Sequence, residues 1–142
     1  MFKQWQPLNH NLESSPGLDL SIESRSLKIR LTNWRDEVCF FGLDILFTHA
    51  IAGLYVYDES TDGPENLTQP EALEFDGGRA GTYPAWVDKS NKRLALYGEL
   101  GRSKYEHIDT YFFVGQSIVV LVDVADSEPT VLEIEPEVIN QN

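Results

Sequence analysis

The clearest signal along the chain is alternation of apolar and polar positions with a period of two. In LDLSI, Leu18, Leu20 and Ile22 alternate with Asp19 and Ser21, and in LKIRL, Leu27, Ile29 and Leu31 alternate with Lys28 and Arg30. Closing a loop over Glu23–Ser26 pairs Ile22 with Leu27, Leu20 with Ile29 and Leu18 with Leu31 on one face. The other face then sets Asp19 against Arg30, an opposite-charge cross-strand pair worth a few tenths of a kcal/mol up to ~1. Apolar inside and charged outside predicts a half-exposed hairpin.

The stretch His107–Val124 (HIDTYFFVGQSIVVLVDV) contains the longest apolar run, and its β-branched and aromatic residues suit a pleated surface. A two-residue turn at Gly115-Gln116 pairs Val114 with Ser117 and Phe113 with Ile118. Tyr111, Phe113, Ile118, Val120 and Val122 then share one face, and Phe112, Val119 and Leu121 the other. Two apolar faces predict central strands covered on both sides.

The remaining segments are shorter. Phe2, Trp5 and Leu8 have the spacing of one helical turn that docks apolar side chains, before Pro7 and Ser15-Pro16-Gly17 stop anything longer. Trp34-Arg35-Asp36-Glu37 reads as a turn into Val38–Phe41, with Gly42 as a bulge. Asp44–Ala52 fits a helical spacing through Leu46, Phe47 and Ala50, but aromatic and β-branched content over 43–57 favours strand. Asp58–Pro84 is a long polar stretch, functional or mobile by its length, with a short helix starting at Pro70. Ala85–Tyr97 reads as a hairpin turning at Ser90-Asn91, pairing Val87 with Leu94, Ala85 with Leu96 and Asp88 with Arg93, and 98–104 as a charged connection. Thr130–Glu135 is a last strand with Leu132 and Ile134 inward and Glu133 and Glu135 outward. Together these predict one β-rich domain over 1–142. It is mainly β, with antiparallel hairpins forming a sandwich or open barrel and one or two short helices.

Charge changes the functional picture more than composition does. Twenty-three acids against eleven bases give a net charge of −12, which repels nucleic acid and anionic membranes and suits a basic protein partner. Asp58–Asp76 holds seven acids and no base, and the chain after Lys104 holds eight acids and no base. No segment resembles a signal peptide, and no apolar run reaches the ~18 residues that span a bilayer, so a cytoplasmic protein is expected. The single cysteine, Cys39, excludes an internal disulfide and sits in an apolar run as a small buried hydrophobe.

Candidate chemistry is sparse. His10, His49 and His107 lie at no metal-ligand spacing, so neither a cofactor nor a tightly bound transition metal is predicted. His107 and Asp109 share a strand face, either as a base with its orienting carboxylate or as the polar end of a hairpin. Asp58-Glu59-Ser60-Thr61-Asp62-Gly63 opens like a calcium loop but fails at Pro64 and Gln69. Gly77-Gly78-Arg79-Ala80-Gly81 lacks the following helix of a phosphate cradle. Asn66-Leu67-Thr68 matches a glycosylation acceptor that has no consequence without secretion, and no G-x-S-x-G elbow occurs.

The segments LDLSIESRSLKIRL, VCFFGLDIL and HIDTYFFVGQSIVVLVDV together resemble the small bacterial immunity-protein-like families found beside polymorphic toxins. In these families meandering strands lead to a phenylalanine-glycine-aliphatic segment and an apolar C-terminal hairpin. The resemblance covers about half the chain as a pattern, and the chain lacks the His-Asp pair found at the start of some of these families. It implies a cytosolic binder that neutralises a toxin by occupying its active site or a nearby surface. Separately, the absence of a catalytic motif favours a non-enzymatic role, and a second copy of the chain stays open as a further partner. The expected steering acids are Asp58, Glu59, Asp62, Glu133 and Glu135, with Phe75 and Tyr83 as aromatic anchors. The alternative is a small enzyme or ligand-binding β domain with a pocket near Trp86, Tyr83 and His107.

Overall fold

A computed structural model of the chain describes residues 1–6, 12–48, 51–58, 73–77 and 80–140. The alternating segments form strands β1 (Lys3–Gln4), β2 (Gly17–Glu23), β3 (Ser26–Arg35), β4 (Val38–Phe47), β5 (Ile51–Asp58), β6 (Ala85–Asp88), β7 (Ile108–Val114), β8 (Ile118–Ala125) and β9 (Thr130–Ile134). Two short helices, α1 (Gly98–Lys104) and α2 (Pro136–Asn140), and 3-10 turns at Ala80–Thr82 and Lys92–Tyr97 complete the described structure. The strands make two antiparallel sheets, ordered β1-β6-β7-β8-β5 and β2-β3-β4-β9. The fold is mainly β, a two-sheet sandwich as expected.

The pair β7–β8 lies at the middle of the five-stranded sheet, covered on both faces. Tyr111 and Phe113 point at the second sheet, where Phe47 meets them at 5.4 and 6.3 Å between ring centroids. On the opposite face Phe112 contacts Phe2 at 5.8 Å and Phe75 at 5.2 Å. Its strand partner Trp86 is fully buried and donates Nε1–H to the carbonyls of Ala80 and Tyr83. Segments 73–77 and 80–84 therefore cover one end of that face, and the 3-10 turn at Lys92–Tyr97 the other.

The β2–β3 hairpin has the expected register residue for residue, Leu18 opposite Leu31 through Glu23 opposite Ser26. Arg30 sits opposite Asp19 but forks onto Asp44 of the next strand, with Nε–Oδ1 at 2.8 Å and Nη2–Oδ2 at 3.0 Å. In the central hairpin the turn lies one residue later than expected, so Val114 pairs with Val119 and Tyr111 with Val122. A shift of two in partner leaves every side chain on its expected face. Gly115 serves close approach: a Cβ there would stand 2.5 Å from Leu18 Cβ.

Other expectations are corrected. Residues 85–97 are not a hairpin. β6 pairs with β1 and β7, while Asn91 takes a left-handed φ of 65° and the chain winds into a 3-10 turn that carries Arg93 to Asp123. The charged connection at 98–104 is α1. The helical alternative for Asp44–Ala52 gives way to strand, since β4 runs to Phe47 and β5 begins at Ile51. The bulge falls opposite Asn33/Trp34, not at Gly42. Phe2 and Trp5 dock on the core beside an extended β1, not a helical turn, and Leu8 lies outside the described residues.

β9 is inverted relative to expectation. Val131 and Glu133 share the face of Ile45 and Leu43, whereas Leu132 is half exposed on the outer face beside Asp44. The reason is α2, which folds back over that outer face. Ile134 and Ile139 close on Gly42 so tightly that a Cβ there would be 2.9 Å from Ile139.

The central position of β8 makes a direct test. Val120 is fully buried, so Val120→Asp should cost about 3–5 kcal/mol by placing an unpaired carboxylate in the core. A urea midpoint equal to that of the parent would contradict the assignment.

Candidate functional site

The four-stranded sheet loses its outer members at one end. β2 stops pairing at Gly17–Thr32 and β9 at Gly42–Ile134, so residues 33–41 continue as a two-stranded ribbon of β3 and β4. Asp36 and Glu37, with φ of 50° and 66°, close it in the paired left-handed conformation of a tight type I′ turn. Around this acidic turn Trp34 is 46%, Val38 54% and Phe40 38% exposed.

The ribbon is held at its base. Trp34 Nε1–H donates to Thr32 Oγ1 at 2.8 Å, with its indole over Gly17, where a side chain would collide with that hydroxyl. Arg35 stacks its guanidinium 4.5 Å from the Phe40 ring centroid and pairs with Glu13 at 2.8 Å. Asn33 exchanges hydrogen bonds with the backbone of Glu13. The side-chain amide of Asn140 accepts from Cys39 N–H and donates to Cys39 C=O, both at 2.9 Å. The result is an apolar tip with an acidic apex on a fixed base. In the sequence, Trp34–Glu37 reads only as a turn. The missed signal is bulky apolar residues on both flanks of an acidic turn, with no matching apolar row beside them.

The residues expected to bind a partner are not gathered in one patch. Asp58 ends β5, at the edge of the five-stranded sheet, and is exposed. Glu133 and Glu135 are exposed on and after β9, an edge of the other sheet. Glu59 and Asp62 lie outside the described residues, as do the calcium-like loop after Asp58, Asn66-Leu67-Thr68, Pro70, His10 and His49. Phe75 stacks on Phe2 at 5.1 Å and meets Trp86 edge-on at 5.2 Å, so its ring serves the core. Tyr83 is 8% exposed, its hydroxyl has no hydrogen-bond partner among the described residues, and burial pushes its pKa up. Nor do Trp86, Tyr83 and His107 converge. Trp86 and Tyr83 pack together inside, while His107 precedes β7 at the opposite end of that strand from the 115–117 turn.

Two polar clusters invite a catalytic reading. Asp123 is fully buried and accepts from Arg93 Nε at 2.8 Å, Thr110 Oγ1 at 2.7 Å and Tyr97 Oη at 2.5 Å. Burial would lower the pKa of Arg93, but the hydrogen bond and charge of Asp123 outweigh it and the net direction is up. Burial, then the Asp123 hydrogen bond, pushes the Tyr97 phenol far up. Arg93 also lies 5.5 Å from the Tyr55 ring centroid, and Gly53 leaves the gap that the Tyr97 hydroxyl occupies. This cluster spends its hydrogen bonds internally and acts as a buried strut. His107 Nε2 and Asp109 Oδ1 are 2.8 Å apart at the open end of β7, which orients the imidazole. Cys39, the single thiol, is buried at the other end of the sandwich, beyond Gly42. Among the described residues no three His, Cys, Asp or Glu side chains are grouped to hold a metal ion, and no helix is long and apolar enough to cross a membrane.

No protein-family model, curated protein sequence or solved structure matches the chain. Its class is thus defined by the fold and the tip alone: an acidic β-sandwich with an apolar hairpin extension.

Removing one member of a buried ion pair leaves the other charge uncompensated, at about 3–5 kcal/mol. Arg93→Met should lose that much in urea unfolding, and Tyr97→Phe should lose ~1.5–3 kcal/mol, the range for a hydrogen bond to a charged group. Near-parental stability of Arg93→Met would show the strut to be dispensable.

Asp88 gives a pH test. Burial opposes its ionisation, but hydrogen bonds from Ser90 and the Met1 amine outweigh it and hold its pKa below the ordinary 3.8. A folded-state value below the unfolded one contributes stability above pH ~4, lost as pH falls through the lower folded value. Asp88→Asn should therefore destabilise the protein at pH 7 and converge with the parent in strong acid. A pH-independent difference would mean that ionisation of Asp88 is not the source.

Proposed function

We propose that the chain is a non-enzymatic, acidic protein-binding domain, an immunity-type inhibitor that neutralises a toxin by covering its active site or an adjoining surface. The observation that carries this reading is the β3–β4 tip, where Trp34, Val38 and Phe40 stay half exposed on an anchored base. A tryptophan flanked by aliphatic and aromatic neighbours is the composition of an interface hot spot, and prior ordering lowers the entropy lost on docking. The net charge of −12 supports a basic partner, such as a nuclease, through electrostatic steering. Asp36 and Glu37 put negative charge beside the apolar contact, while Asp58, Glu133 and Glu135 add to the long-range field from other edges. The resemblance of the hairpin segments to immunity-protein-like families points the same way, and to a cytoplasmic site of action.

The partner to test is the product of the adjacent gene. Co-expression should relieve its toxicity, and the purified proteins should bind. Trp34→Ala should raise the dissociation rate by about 30-fold or more, the equivalent of a 2 kcal/mol hot spot. Asp36→Asn with Glu37→Gln should mainly slow association and flatten its dependence on salt. A non-toxic neighbour that does not bind, or binding indifferent to both salt and Trp34, would overturn the reading.

A further inference from the structure

At the end of the sandwich away from the tip, the β2–β3 turn, the start of β5 and the end of α1 enclose an open cleft of about 540 Å³. Ile22, Ile51 and Leu54 are among the side chains that line it, with Tyr105 at one wall. Ile22 is 62% exposed, and Ile51 and Leu54 are only partly buried, so the cleft has wet aliphatic surface. Arg25 and Lys104 also line it, both exposed, with the Ser24 hydroxyl nearby.

Ion pairing divides the described bases. Arg30, Arg35, Lys89 and Arg93 are each held by a carboxylate. Arg25 has no ion-pair partner among the described residues, and the Lys104 ammonium rests 5.5 Å from the Tyr105 ring centroid without a carboxylate. Lys3, Lys28 and Arg102 likewise have no carboxylate partner among the described residues, and of the described bases Arg25 and Lys104 are the two that line this cleft. Positive charge beside aliphatic surface complements a ligand with an anionic head and a hydrocarbon body. A volume of about 540 Å³ lies within the range of small-molecule sites.

We propose that this cleft binds a small amphipathic carboxylate of the fatty-acid type, its head at Arg25 and Lys104 and its chain against Ile22, Ile51 and Leu54. A bare phosphate would leave the aliphatic surface unused. A nucleotide would want a stacking pair of rings, and among the described residues Tyr105 is the one aromatic side chain at the cleft. The proposal does not depend on the inhibitor reading, since the cleft and the tip lie at opposite ends of the sandwich.

Decanoate, titrated below its micellar concentration and followed by methyl NMR, tests it. Saturable shifts should centre on Ile22, Ile51 and Leu54, with decanol and acetate each binding roughly tenfold more weakly or less, as loss of a charge-assisted contact or of the buried chain requires. Arg25→Gln with Lys104→Gln alters exposed side chains only and should leave the circular dichroism unchanged. It should weaken decanoate roughly tenfold and leave decanol unaffected. Shifts scattered away from the cleft, equal binding of decanol, or indifference of decanoate to the double substitution would each overturn the assignment.

Discussion

Burial of β7–β8 on both faces is the constraint from which the rest of the architecture follows. A strand pair with apolar residues on alternate and intervening positions alike cannot rest against water on either side. The β2-β3-β4-β9 sheet supplies one cover through Phe47 and its neighbours. The other cover is improvised from pieces: Phe2 and Phe75 over Phe112, Tyr83 beside Trp86, and the Lys92–Tyr97 turn over Thr110 and Asp123. Asp123 sits in this second interface as a charge in an otherwise apolar strand. Its presence fixes where Arg93 and Tyr97 must go, and so how the chain returns to β7.

Against that rigid centre, the exposed features fall at the two ends. One end carries the hairpin tip with its acidic apex, the other the aliphatic cleft with Arg25 and Lys104 and the His107–Asp109 pair. The core residues of β7 and β8 have no access to either. The most apolar segments accordingly hold packing contacts and the internal Asp123 cluster.

Local pattern was enough where one face is plainly apolar and the other charged. Leu18, Leu20 and Ile22 against Leu27, Ile29 and Leu31 could pair in one register only, and did. The faces of the central hairpin were equally legible, because an even slip preserves them. Failure came where a distant element changed which face was inside. Leu132 and Ile134 look like an inward row until α2 covers the outer side of Gly42, and no local cue announces that return. Residues 85–97 alternate like a strand, yet Arg93 gains more from buried Asp123, 30 residues on, than from Asp88 across a turn. Phe75 and Tyr83, in a polar stretch, read as surface anchors because the bare face of Phe112 and Trp86 that needs them is visible only in three dimensions. Trp34 was the reverse case, an apolar residue in a turn that finds no core to join.

The clasp of Asn140 on Cys39 spans 101 positions of sequence. As the polypeptide leaves the ribosome, β2, β3 and β4 emerge early, but the ribbon they form lacks this support at its base until α2 has been made. The proposed recognition surface is therefore among the last features to set. A nascent or prematurely terminated chain would contain Trp34, Val38 and Phe40 without the scaffold that holds them ready, which would tie the proposed binding to completion of synthesis through α2.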